Sequence, residues 1–318
     1  MSEVIAEVVR SGFVEGSHRG SAIAVAADGS TTYARGDVTG TMLPRSCSKP
    51  LQAVAMVRSG LDLEPELLAL ASASHSGEPF HVDGVRRILA GAGLDESALR
   101  NPVGWPLLDG VKDDLLRAGG DASVLTMNCS GKHAAMLATC VVNGWPLETY
   151  LDPRHPLQRA IAETFTDLTG APVAHAAVDG CGAPLLGTSL TGLARAFSTL
   201  ATSDAPAEAR VVAAMRAHPE FVSGTTRDEL VLVRALPGAI AKAGAEACYV
   251  VALPDGRAFA LKIDDGGLRA RPVVMAALLA HLGVDVEPGA DTAAVRRTGA
   301  APLLGGSEVV GEIRAVLR

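Results

Sequence analysis

Apolar and polar positions alternate or run together at both ends of this chain and recur at helical spacing through its middle. Residues 21–27 (SAIAVAA) and 31–36 (TTYARG) flank Asp28-Gly29, a turn pair between β-rich runs that predicts an antiparallel hairpin. Toward the other end, Cys248 to Leu253 (CYVVAL) and Ala258 to Ile263 (AFALKI) surround Pro254-Asp255-Gly256, and a helical apolar pattern follows in Leu268 to Leu282. Between these ends, helical periodicity predicts segments at about 49–60, 83–93, 108–117, 131–143, 156–169, 187–202, 206–217 and 228–242. The order predicts an α+β fold in a single domain, residues 1–318. Its antiparallel sheet comes from both chain ends, about 10–45 and 245–318, with a helical insertion at about 46–244.

Composition narrows the function classes. The formal charge is -7 and no basic cluster occurs, so the electrostatic footprint of nucleic-acid binding is missing and no nucleic-acid partner is expected. The N-terminus carries Glu3 and Glu7 where a signal peptide wants positive charge, and no apolar stretch approaches about 18 residues. A cytoplasmic protein without a membrane partner is expected. The five cysteines, Cys47, Cys129, Cys140, Cys181 and Cys248, are odd in number and scattered, which points to reduced thiols, a metal site or catalysis before a disulfide framework. Only five of the 28 basic residues are lysines, namely Lys49, Lys112, Lys132, Lys242 and Lys262. Arginine serves solubility equally well but does not give up its proton, so these lysines are candidates for base or ligand roles.

Several polar blocks could carry chemistry. Ser46-x-x-Lys49 would put a hydroxyl and an amine on one face of a helix starting there, and a neutral Lys49 could then take the Ser46 proton. An N-terminal serine is also a common helix cap. Ser74-His75-Ser76-Gly77-Glu78 follows an apolar helix and reads as a site on a loop or as a capped turn. Lys242-Ala243-Gly244 fits either a lysine on a strand facing the nucleophile, as in the Lys-Thr-Gly of penicillin-recognising enzymes, or a helix C-terminus closed by glycine.

Asn128-Cys129-Ser130-Gly131-Lys132-His133 is the densest run of reactive groups. Its Gly-Lys pair is not a phosphate loop, because Thr126 holds the first glycine position and His133 replaces the hydroxyl residue. A second thiol lies in Asp179-Gly180-Cys181-Gly182, and Cys129 and Cys181 could meet to hold a soft divalent ion or remain buried free thiols. His155, His218 and His281 read as structural.

Taken in order, Arg45-Ser46-x-x-Lys49-Pro50, Ala73-Ser74-His75-Ser76, Asn128-Cys129-Ser130-Gly131-Lys132-His133, Asp179-Gly180-Cys181 and Lys242-x-Gly244-Ala245 resemble the signature of the rhizobial-type L-asparaginases, which are related in fold to serine β-lactamases and β-lactamase-like glutaminases. The resemblance covers roughly residues 10–285. It implies that the chain hydrolyses L-asparagine, with Ser46 as nucleophile, Lys49 as base, and Ser74 with Lys242 as a second serine-lysine pair. It further implies a zinc ion on Cys129, Lys132 and Cys181 that supports substrate positioning. Asp179 would meet the substrate α-ammonium and Arg45 its α-carboxylate, with Asn128 and His75 also at the substrate, and a homodimer is expected. Gly182 in place of a polar amide, and a short connection to Lys242, depart from the pattern. Two other readings fit parts of these blocks: a serine amidohydrolase acting on another amide, β-lactamase-like or glutaminase-type, and a non-catalytic zinc-binding module.

Overall fold

A computed structural model describes residues 1–317, which divide into two compact units. The first comprises Met1–Cys47, Thr188–Thr202 and the chain from Asp228 onward. In chain order the strands are β1 (Glu3–Arg10), β2 (Phe13–Val25), β3 (Thr31–Arg35), β4 (Thr41–Met42), β5 (His175–Val178), β6 (Pro184–Ser189), β7 (Ile240–Gly244), β8 (Cys248–Ala252), β9 (Ala258–Ile263), β10 (Pro302–Gly305) and β11 (Glu308–Ala315). The main sheet runs β10-β11-β1-β2-β9-β8-β7, with β3 paired to β2. All of its pairings are antiparallel. Both chain ends therefore build one antiparallel sheet, as the apolar pattern predicts.

β7, β8 and β9 are almost wholly buried, which is why they read as continuous apolar runs where β1 and β3 do not. One face of the sheet, with Ala22, Ala241, Ala243, Tyr249, Val251 and Phe259, packs against the helices Asp228–Ala235, Ala270–His281 and Thr292–Thr298. Side chains alternate along a strand, so Lys242 points away from that core. Leu190–Thr202 packs on β2, β8 and β9.

The second unit, Ser48–Gly187 with Ser203–Arg227, is mainly helical. At its centre Pro65–Ala71 packs against the helices Lys49–Arg58, Pro79–Gly91, Ser130–Asn143 and Pro206–Ala217. Its residues Leu67 to Ala71 are buried without interruption, so it lacks the amphipathic period by which surface helices are recognised. Gly131 lets the neighbouring helix approach it. A Cβ at that position would lie 2.6 Å from Leu70 Cγ and 2.7 Å from the Leu70 carbonyl oxygen.

The helix expected over 228–242 ends at Ala235, and β7 begins at Ile240. Pro237-Gly238 separates them, with Gly238 at φ 73°, a conformation glycine adopts without a Cβ clash. Lys242 therefore stands on a strand. The stretch from 187 likewise begins as β6, and its helix starts only at Leu190. Among the described residues no helix is long and apolar enough to cross a membrane.

Gly131→Ala should lower stability by about 1–3 kcal/mol through overpacking against Leu70. Denaturant melts of the variant check this, and an unchanged midpoint would show that the two helices can separate without cost.

Candidate active site

Each unit carries one cluster of buried reactive groups. In the first unit, Arg45–Ser48 form a 3-10 turn entered through Arg45 at φ 51°, a left-handed conformation uncommon for a residue with a Cβ and often found at functional sites. The Cys47 N–H donates to Pro44 O at 3.1 Å, closing the turn. Arg45 lies 3.8 Å from Glu246. Gly244 makes room for this turn beside β7, since a Cβ there would meet Pro44 O at 2.8 Å and the Cys47 nitrogen and sulfur at 3.3 Å. The Cys47 thiol donates to Lys242 O at 3.1 Å, and Ser46 is buried.

Lys242 is fully buried. Its amine donates to Ala243 O at 2.7 Å and stands 3.7 Å from Glu229 Oε1, while the Ala243 N–H donates to the same carboxylate oxygen at 3.1 Å. Glu229 escaped sequence reasoning because an acid in the first turn of a helix is an ordinary dipole partner. Nothing in the local pattern marks it as buried. Burial, with a hydrogen bond to Cys248, pushes the Cys47 thiol well above its usual range.

The second cluster centres on Lys49, which opens its helix and is buried. Its amine donates to Ala73 O at 2.5 Å, Ser74 Oγ at 3.1 Å and Cys129 Sγ at 3.1 Å. Two of the sequence blocks thus meet at one amine. Cys129 packs with Cys181 and Ala183, and the Lys132 amine donates to Cys181 Sγ at 3.1 Å. A hydrogen bond from Cys181, aided by Lys49 and Lys132, holds the Cys129 thiol well below its usual range. Burial opposes the charge of Lys132, but the Cys181 and Cys129 sulfurs outweigh it and raise its pKa.

His75 is buried and engaged on both nitrogens: Nδ1 accepts from the Gly77 N–H at 3.2 Å, and Nε2 lies 2.8 Å from Ser130 Oγ. The tautomer with hydrogen on Nε2 completes a chain, because Ser130 in turn donates to Leu125 O at 2.8 Å. Asn128 O accepts from the His75 N–H at 3.1 Å, which fixes the turn before the reactive run. His133 bonds Tyr150 Oη at 2.7 Å through Nδ1, and burial holds the ring's pKa down to about 4. Asp179 is half-buried, its carboxylate accepting from the Gly180 N–H at 2.9 Å. His155 caps the helix Pro156–Thr169, as a structural histidine would.

The zinc expectation can be weighed against these donors. Among the described residues no group of three or more His, Cys, Asp or Glu gathers, so a site here depends on Lys132 as an amine ligand. Two adjacent buried sulfurs with that amine form a soft S₂N donor set, which fits zinc once Lys132 gives up its proton.

Comparison with known proteins defines the class of this enzyme as an amidohydrolase. The chain belongs to the L-asparaginase II family, whose model matches residues 6–315. No curated protein matches it. Among solved structures, a β-lactamase from Mycobacterium bovis is 15% identical over 82% of this chain and 94% of that one, with a TM-score of 0.44. A Bacillus subtilis glutaminase, solved as a covalent complex with 5-oxo-L-norleucine, is 14% identical over 88% of this chain and 92% of its own, with a TM-score of 0.38. The protein called Mglu is 14% identical with a TM-score of 0.38, and the match spans 83% of this chain and 61% of that one.

The raised pKa of Cys47 leaves it as an unreactive thiol. Iodoacetamide at pH 7.5 should leave Cys47 unmodified in the native protein and modify it on unfolding, read by peptide mass spectrometry. Native labelling at Cys47 would contradict this.

Proposed function

We propose that this enzyme hydrolyses L-asparagine to L-aspartate and ammonia through an acyl-enzyme on Ser46. The observation that carries the reading is the buried amine of Lys49, held by Ala73 O, Ser74 Oγ and Cys129 Sγ and three residues along the chain from a buried serine in a 3-10 turn. Ser46 lies in the turn that ends at Ser48, and Lys49 begins the helix that follows. Membership of the L-asparaginase II family supports asparagine as the amide acted on.

In this mechanism Ser46 Oγ attacks the side-chain carboxamide carbon while its proton passes to the neutral amine of Lys49. Backbone N–H groups hold the oxyanion as the tetrahedral intermediate forms. Its collapse breaks the C–N bond, and the nitrogen leaves as ammonia with a proton from the second pair, Ser74 and Lys242. Lys49 passes the proton it took from Ser46 on to that second pair and is neutral again. Water then attacks the ester carbonyl and gives a proton to Lys49, which returns it to Ser46 Oγ as the ester C–O bond breaks and aspartate leaves. Asp179 meets the α-ammonium and Arg45 the α-carboxylate. Cys129, Lys132 and Cys181 would hold a zinc ion, which when bound supplies a fixed positive charge that helps to position substrate.

Purified protein should release ammonia from L-asparagine in preference to L-glutamine, and Ser46→Ala and Lys49→Met should each lower kcat by at least about a thousandfold. Near-normal rates in either variant would sink the assignment, and release from glutamine alone would move the enzyme to another amide. Cys181→Ser should bind zinc at least about tenfold more weakly than the wild-type protein, as measured by metal titration. Unchanged affinity would remove Cys181 from the ligand set.

A further inference from the structure

Two acids adjacent in sequence, Asp228 and Glu229, open the helix that precedes β7, and each meets a buried cation. Asp228 Oδ1 accepts from Arg271 Nη2 at 2.5 Å, and Arg271 also lies over the Tyr249 ring at 5.0 Å. Glu229 Oε1 is 3.7 Å from the Lys242 amine, with the two side chains 2% and 0% exposed. The Glu229 carboxylate is tied by the Ala243 N–H, at 3.1 Å, to the strand that carries Lys242. An ammonium removed from water persists only with a counter-charge, and Glu229 is placed to be that charge. Other charged or titratable groups face this pair. Arg271, bound to Asp228, also lies in the field of Glu229. The Cys47 thiol donates to Lys242 O, Cys248 pairs with Gly244 across the β7–β8 ladder, and Tyr249 follows it on β8. Burial raises the pKa of Cys47 and of Tyr249, so neither contributes a negative charge near neutral pH.

We propose that Glu229 is a positioning residue that holds Lys242 as a charged ammonium on β7, which makes Lys242 the proton donor to the departing ammonia. The donor role rests on the asparaginase reading given above; the charge-holding role does not. Glu229 need not touch substrate. Its carboxylate keeps the Lys242 proton in place until the C–N bond breaks, when that proton moves to the leaving nitrogen.

The chain has only five lysines, so NMR of protein carrying 13C at lysine Cε gives few signals, and Lys242→Met identifies that of Lys242. In Glu229→Gln the Lys242 signal should titrate at a pH lower than in wild type by at least about one unit. Glu229→Asp should recover most of that shift. For asparagine hydrolysis, Glu229→Gln should lose at least about tenfold in kcat with KM within about threefold, and the alkaline limb of its pH profile should move to lower pH.

An unchanged Lys242 titration in folded Glu229→Gln overturns the proposal. Should that variant fail to fold, Glu229→Ala decides by the same signal, with a downward shift expected and an unchanged titration overturning the proposal. A shifted titration with wild-type kcat overturns the donor role. If wild-type protein releases no ammonia from asparagine, the asparaginase reading and the donor role fall together, and the NMR titration still judges the charge-holding role on its own.

Discussion

Much of the chemistry available to this protein depends on lysine amines kept out of water. A buried amine must find acceptors or a counter-charge, because an isolated ammonium in a protein interior is strongly disfavoured. Lys49 meets a carbonyl, a hydroxyl and a sulfur. Lys132 meets the Cys181 sulfur, and Lys242 meets a carbonyl and a carboxylate. The roles of base, ligand and proton donor proposed for these three lysines rest on these different surroundings.

The surrounding fold serves these contacts through small residues and tight turns. Gly131 lets the helix bearing Lys132 and His133 lie against Leu70, just upstream of the turn that offers Ala73 O and Ser74 to Lys49. Gly244 admits the turn holding Ser46 and Cys47 beside β7. His75 and Ser130 cross-link the two reactive loops of the helical unit, so that its cluster is braced by buried polar bonds as well as by apolar packing. A substitution at either glycine would disturb chemistry and stability together.

Much of this was legible in the sequence, for identifiable reasons. The hairpins around Asp28-Gly29 and Pro254-Asp255-Gly256 carry their own turn chemistry, and both are present in the sheet. The scarcity of lysine in an arginine-rich chain drew attention to Lys49, Lys132 and Lys242, and all three are buried. Other features were hidden. The helix Pro65–Ala71 has no polar face to set its period, and the break at Pro237-Gly238 was absorbed into a longer helical pattern. Glu229 and Tyr150 have roles set by tertiary contacts, with Lys242 and His133 respectively, which no local spacing reveals.

The most direct measurement is acid quenching of the enzyme during turnover of L-asparagine, followed by peptide mass spectrometry. An aspartyl ester on the peptide containing Ser46, absent from Ser46→Ala, is the predicted result. An aspartyl adduct on any other residue, or steady turnover in Ser46→Ala, would contradict covalent catalysis by Ser46.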